Sequence, residues 1–250
     1  SLTNFKVCSS LFGGMIITND EKMADRLNNF RSKDLLPSRK SILLKLIVKD
    51  LIYLILFSRW IFSYFTYFIV LVLERIDPQI IYRLYSGNIK VTLGIHRNKL
   101  YSKFPADYLF DYTDIQADIG LNSLLKAKNA TSLRIRNGER LTKLLLDISD
   151  IKIPVKIKSA VNVYWRYPII SKDMKGLKRF LLEYGIDSAP TYLTLCSNEL
   201  GFKPYHRLAP NAERFKKDAL IVEVDETLTR CDVDFTASVI RSYFKDKIKI

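Results

Sequence analysis

An α/β chain interrupted by an apolar helical insertion is predicted by three features of the sequence. β-branched runs alternate with stretches of helical period, one helical stretch is unusually long, and the run from Leu51 to Leu73 carries a single charge, Arg59. The 250 residues suffice for one domain of ordinary size or two small ones, and a hydrophobic share of 48% can fill a core. Such a composition excludes a disordered chain.

The chain opens on Ser1, Lys6 and the pair Gly13-Gly14, followed by Met15-Ile16-Ile17-Thr18, which predicts a short buried strand. Glycines let the backbone fold closely around a flat group, and Lys6 sets an amine beside it. The pattern also has a plain reading, in which Lys6 is one of 40 basic residues and the glycines make a turn. Asn19 or Asp20 caps the next helix, whose apolar positions Met23, Leu27 and Phe30 recur at helical spacing.

The apolar run comes next. About 20 apolar residues can span a bilayer, and Lys45 and Lys49 stand at one end of this run. A second run of similar length is lacking, because Lys45, Lys49 and Asp50 interrupt the stretch from Ile42 to Leu51. Arg59, Ser63, Thr66 and Tyr67 recur at helical spacing and give one polar edge to an otherwise apolar rod. Such a rod suits a helix lying in a membrane interface, the preferred reading, and also suits burial against another part of the protein or a second subunit.

From Thr113 through Leu124, Leu125 and Lys126 to Arg134 and Arg136 the spacing predicts a long amphipathic helix. Val161 to Ile170 reads as a strand, and Ser171 as the cap of a helix with Leu177, Phe180 and Leu181 inside and Gly185 at its end. Thr229-Arg-Cys-Asp232 has the form of a capping box before a last helix that buries Phe235, Val239, Ile240, Tyr243 and Phe244.

Forty basic residues against 26 acidic ones give a formal charge of +14, which favours anionic partners: nucleic acid, phosphorylated sugars or an acidic membrane surface. The lysines are scattered and form no dense stripe, so nucleic acid is not expected. Cys8, Cys196 and Cys231 are far apart and the chain has only His96 and His206, a pattern that predicts neither a metal site nor a disulfide framework. Cys8 reads as a small buried hydrophobe in a reducing compartment.

Ser1 five residues before Lys6, with Gly13 and Gly14 seven and eight after it, resembles the cofactor-lysine segment of the DegT/DnrJ-type nucleotide-sugar aminotransferases, pyridoxal phosphate enzymes of fold type I. The long helix from Thr113, the phrase Tyr184-Gly185-Ile186 and the closing Leu228-Thr229 followed by Asp232-Val233 are similar to the family in the same order. The resemblance reaches both ends of the chain and leaves a gap in the middle.

It implies a fold type I α/β chain in three parts: residues 1–40 as the end of the large domain, 41–110 as a hydrophobic helical insertion and connector, and 111–250 as a long helix with a small C-terminal α/β domain. It implies that the chain begins near the cofactor lysine, without the preceding half, which carries much of the site. Lys6 would hold pyridoxal 5'-phosphate and act as the catalytic base, and Ser1 would contact the cofactor phosphate. The reaction implied moves an amino group from an amino acid, usually glutamate, to a keto group of a nucleotide-linked sugar, for a surface glycan or polysaccharide. A cytoplasmic homodimer is implied; the apolar run from Leu51 to Leu73, read from its own residues, adds the expectation of peripheral contact at the inner face of the membrane.

The sequence departs from the family at one place. Where the family commonly has an Asn-Tyr-Arg phrase reaching the neighbouring subunit's cofactor, this chain has Leu109, Phe110 and Asp111. An acid beside a phosphate is unfavourable unless it points away. The departure supports a second reading, a noncatalytic membrane-associated scaffold or partner with an aminotransferase-like fold. Tyr192 and His206 fall in loops where the family meets substrate, but no motif singles them out, and a structural role is expected for both.

Overall fold

A computed structural model of the chain describes residues 6–37, 40–76, 109–191 and 195–247. The chain divides into two compact units, Ser1–Val72 with Tyr101–Lys128, and Leu73–Leu100 with Asn129–Ile250.

In the first unit, helix α1 (Glu21–Asp34) starts where Asp20 Oδ1 accepts a hydrogen bond from the Met23 amide at 3.2 Å, so Asp20 rather than Asn19 is the cap. No residue of α1 is buried. Met15, Ile16 and Ile17, expected as a buried strand, are exposed and belong to no sheet. Among the described residues no strand lies beside them, and a strand without a neighbour has neither ladder nor protected face.

The apolar run forms two helical pieces rather than one rod. Helix α2 (Lys40–Leu56) ends at Phe57-Ser58; a short α3 (Arg59–Ile61), a π-helical turn (Phe62–Thr66) and α4 (Tyr67–Ile76) follow without interruption. Thr66 Oγ1 donates to the Leu56 carbonyl at 2.8 Å, satisfying an acceptor that the end of α2 leaves unpaired. Phe57 stacks on Phe62 with ring centroids 5.6 Å apart, and Phe62 lies 6.1 Å from Tyr67. Of the polar edge read from the sequence, Ser63 is exposed and Thr66 and Tyr67 are half-buried. Among the described residues, no helix is long and apolar enough to cross a membrane.

Helix α5 (Asp114–Leu145) belongs to the first unit by its first half and to the second by its remainder. The second unit is built on a four-stranded antiparallel sheet in the order β1-β2-β4-β3, from β1 (Ile151–Lys152), β2 (Tyr167–Ser171), β3 (Ser188–Pro190) and β4 (Ala219–Val222). β2 alternates, with Tyr167, Ile169 and Ser171 buried, so one of its faces is core. Helices α6 (Met174–Glu183), α7 (Pro210–Asp218) and α8 (Arg230–Lys247) complete the unit. Leu141 and Leu145 of α5, Leu177 and Leu181 of α6, and Val233, Ile240 and Phe244 of α8 meet Ile169, Leu220 and Val222 in a single core.

The expected elements of this unit are present with shifted bounds. Residues 161–166 are not strand: Tyr164 has φ 54°, a left-handed conformation that breaks a ladder, and its ring lies where a Cβ on Gly138 would be. Ser171 closes β2, and the cap of α6 is Asp173, whose Oδ1 accepts from the Gly176 amide at 3.1 Å. Gly185 ends α6 at φ 74°, with its amide bonded to the Leu182 carbonyl and the Ile186 amide to that of Leu181, each at 2.9 Å. In the last capping box Thr229 Oγ1 accepts from the Asp232 amide at 3.3 Å, and Asp232 Oδ2 accepts from the Thr229 amide at 2.8 Å. Phe235 is 49% exposed, so of the apolar positions named for that helix it alone misses the core.

Candidate functional site

Lys6 stands on an exposed bend at the start of a loop that α5 holds in place. The start of α5 is a capping box: Thr113 Oγ1 accepts from the Gln116 amide at 3.2 Å, while Gln116 Oε1 accepts from the Thr113 amide at 3.2 Å. The other end of the same amide group faces the loop, where Gln116 Nε2 donates to the Phe12 carbonyl at 3.0 Å. Gln116 is 7% exposed, so its side chain both starts the helix and binds the loop.

One turn further, Gly120 approaches Ser10, which is fully buried, and accepts a weak bond from the Cys8 thiol at 3.8 Å. The Ser9 amide donates to Ser123 Oγ at 2.9 Å. Residues 116, 120 and 123 are spaced for one face of a helix, so the loop from Cys8 to Phe12 is seated along a single stripe of α5.

The glycine pair has a local cause. Gly13 has φ 113°, and a Cβ there would lie 2.9 Å from Cε2 of the Tyr112 ring. Only glycine combines that backbone with a ring packed against it. In this structure the close approach at Gly13 therefore admits an aromatic side chain of the same unit.

Asp111 is fixed by three hydrogen bonds from two residues. Arg31 of α1 grips it with two bonds, Nε to Oδ1 at 2.9 Å and Nη2 to Oδ2 at 3.2 Å, and the Tyr112 amide donates to Oδ1 at 2.8 Å. The backbone is tied as well: the Leu36 amide donates to the Leu109 carbonyl at 2.7 Å, and the Asp111 amide to that of Leu36 at 2.8 Å. Hydrogen bonding to Arg31 holds the Asp111 carboxyl below its ordinary pKa and raises that of Arg31. The acid is turned to α1 and neutralised there.

Of the two predicted site residues, Lys6 is thus on a pinned loop, and Ser1 lies outside the described residues. An exposed amine on an anchored backbone fits covalent attachment of a carbonyl-bearing cofactor such as pyridoxal phosphate. His206 follows a 3₁₀ turn, where its Nδ1 is 3.0 Å from the Ser197 carbonyl, and Tyr192 lies outside the described residues. The second unit has a separate cleft of about 330 Å³ beside Tyr164, Trp165, Pro168, Phe215 and Ile221. Arg166 at its rim pairs with Glu223 and lies 5.5 Å from the Trp165 ring, so its charge is already matched. Among the described residues no group of His, Cys, Asp and Glu is arranged to hold a metal ion.

Tyr112 was not singled out in the sequence, and Gln116 and Ser123 read there only as positions of the long helix. The one available signal was Thr113-x-x-Gln116, a capping-box pattern at the head of the long helix.

Comparison with known proteins gives a family match over much of the chain. The family described as DegT/DnrJ/EryC1/StrS aminotransferase matches residues 92–241, a stretch that takes in α5 to most of α8 and does not include Lys6. Similar solved structures include a DegT DnrJ EryC1 StrS aminotransferase from Brucella abortus, at 25% identity and a TM-score of 0.46, covering 52% of this chain and 35% of that one. A sugar aminotransferase from Micromonospora echinospora is 20% identical with a TM-score of 0.48, covering 62% of this chain and 43% of that one. An E. coli GDP-4-keto-6-deoxy-D-mannose-3-dehydratase with bound hydrated PLP is 20% identical with a TM-score of 0.42, covering 50% and 34%. The chain thus spans well under half the length of these structures. No curated protein matches it.

Proposed function

The chain belongs to the DegT/DnrJ/EryC1/StrS aminotransferase family, and from that premise we propose that it is part of a pyridoxal phosphate-dependent sugar aminotransferase. Its α/β fold class is that of the family, as the sequence leads one to expect. The reaction proposed moves an amino group from an amino acid, glutamate in the first instance, to a keto group of a nucleotide-linked sugar for glycan or polysaccharide synthesis. The observation that carries the proposal is the anchoring of the Lys6 loop on the stripe of α5 formed by Gln116, Gly120 and Ser123, because α5 lies inside the stretch that matches the family.

In this reading residues 1–40 close the large domain, 41–110 are an insertion, and 111–250 form the connecting helix and small domain. Lys6 holds the cofactor and Ser1 contacts its phosphate. Pyridoxal phosphate supplies an electron sink for moving nitrogen between carbon skeletons. The work of this chain is to fix the Lys6 backbone, so that its amine meets a reacting carbon in one orientation, and to hold the proton that the amine carries between steps. The protein acts as a cytoplasmic homodimer at the inner face of the membrane.

A second reading, a noncatalytic scaffold with this fold, is favoured by one observation: Asp111 is neutralised by Arg31, and no basic side chain stands in its place. Borohydride reduction of the full-length protein loaded with pyridoxal phosphate, followed by peptide mass spectrometry across residues 1–20, separates the two. A phosphopyridoxyl group on Lys6, lost in Lys6→Ala, is expected for the enzyme. An unlabelled Lys6 in folded protein would establish the scaffold.

A further inference from the structure

The helices α2 to α4 turn apolar side chains outward as well as inward. On α2 the buried or half-buried positions are Ile42, Leu43, Leu46, Ile47, Asp50 and Tyr53, while Leu44, Val48, Ile52 and Ile55, at helical spacing on another face, are exposed. On the next helical piece Phe62, Val70 and Leu71 are half-buried together with Thr66 and Tyr67, and Trp60, Tyr64, Phe68 and Val72, each four residues on from the last, are at least 56% exposed. A helix that can choose turns its polar edge to water and its apolar face to the protein. An outward apolar stripe on two successive helices marks a surface that something else covers.

Charge indicates what covers it. From Leu44 to Val72 the chain carries three basic residues, Lys45, Lys49 and Arg59, and one acid, Asp50. Lys45 and Lys49 are exposed and border the same shallow groove as Leu44, Val48 and Ile52, whereas Asp50 is half-buried. The Lys49 ammonium lies 5.4 Å from the centroid of the Tyr53 ring, its stem along the helix and its charge at the margin of the apolar stripe. Trp60 and Tyr64 stack at 6.1 Å with their planes 5° apart on the exposed side, the residue types that favour the boundary between headgroups and acyl chains. Basic margins around an apolar, aromatic-rich face match an anionic lipid surface.

We propose that the outward faces of α2 and α3–α4 dock the protein on anionic phospholipid, with the helices lying in the interface, the apolar side chains entering it and Lys45 and Lys49 at the headgroups. This gives residues to the membrane contact proposed above, and it does not depend on whether Lys6 is catalytic.

Flotation of the full-length protein with vesicles tests it, comparing phosphatidylcholine alone with phosphatidylcholine containing about one third phosphatidylglycerol. Binding is expected on the anionic vesicles and at least about tenfold weaker on the neutral ones. Loss of two basic residues near an anionic surface, in K45Q/K49Q, is expected to weaken anionic binding about thirtyfold. Phe68→Glu with Val72→Glu is expected to abolish it while the circular dichroism is unchanged. A second measurement leaves the apolar stripe in place: of the two tryptophans in these 250 residues Trp165→Phe leaves Trp60, and the signal lost on a further Trp60→Phe is the one that Trp60 gives. Its fluorescence is expected to shift to the blue and be quenched by brominated acyl chains.

Folded protein that fails to float with anionic vesicles, or a Trp60 untouched by brominated lipid, would overturn the proposal. Equal binding to neutral vesicles would overturn the anionic selectivity. A concentration-dependent dimer that the glutamate variants dissociate, with no flotation, would assign the face to a second copy instead.

Discussion

The sheet-bearing second unit and the apolar helices of the first use the same kinds of residue in opposite senses. In the second unit Leu177, Leu181, Ile169 and Ile240 are wholly buried and the unit closes on itself. In α2 and α3–α4 one set of leucine, isoleucine and phenylalanine side chains is buried or half-buried, and a second set of equal size stands in the open. Burial of apolar surface drives folding in proportion to area, so the second unit carries its stability within its own chain, and the helices of the first leave much of their apolar area to a further surface.

The largest effect that tests this contrast is a pair of truncations. Leu181→Ala removes a side chain with no exposure from the core and is expected to cost about 2–5 kcal/mol in urea unfolding. Phe68→Ala removes a larger side chain that is 59% exposed, and in the absence of lipid it is expected to cost under about 0.5 kcal/mol. Equal costs would mean that α4 is already covered within the chain.

Two glycines sharpen the comparison at the next level. In a helix, glycine to alanine ordinarily stabilises by about 0.5–1 kcal/mol. At Gly138 the sign should reverse to a loss of about 1–3 kcal/mol, because the new Cβ would overlap the Tyr164 ring that packs there. Gly13→Ala meets both a positive φ and the Tyr112 ring, and is expected to release the Lys6 loop from α5 without unfolding the second unit. Hydrogen exchange at the Ser9 amide, bonded to Ser123, reports that release.

Alkali offers a smaller effect confined to the second unit. Burial pushes the Tyr167 hydroxyl up to about 12, against the lowering effect of its bond with Thr142. A phenol whose pKa is raised on folding contributes stability that is fully present below its unfolded value near 10 and is lost as pH climbs through 12. Spectrophotometric titration should show one late tyrosine, absent in Tyr167→Phe, and the alkaline decline in stability should shrink in that variant.

How much of this was legible in the sequence follows from the range of each cause. Caps and stops are local: Asp20, Gly185 and the Thr229–Asp232 box were readable because the residues that satisfy the helix ends lie within a few positions of them. The apolar period of residues 51–73 was readable too, but a period says which residues share a face and not what the face meets. The break at Phe57-Ser58 has no glycine or proline to announce it. Tyr112 against Gly13, Gln116 against Phe12 and Tyr164 against Gly138 join residues distant in the chain, and local pattern carries no sign of such pairs. Asp173 displaced Ser171 as a cap because Ser171 was needed by β2, a choice made by the sheet rather than by the helix.

The smallest effect concerns Asp111, which bears most directly on function. An exposed ion pair contributes little, so Arg31→Ala is expected to cost under about 1 kcal/mol near neutral pH. The Asp111 carboxyl is held below its ordinary value chiefly by hydrogen bonding to Arg31, so the pair's contribution is present above the unfolded carboxylate pKa near 3.9. It is lost as pH falls through the lower folded value. The stability difference between wild type and Arg31→Ala should therefore vanish in acid and hold steady from pH 5 to 8. If the variant also gains affinity for pyridoxal phosphate, the freed carboxylate does not repel the cofactor, and the departure at Asp111 loses its bearing on catalysis. If cofactor affinity falls in proportion to the pair's loss, the pairing with Arg31 is what lets an acid stand where the family places a base.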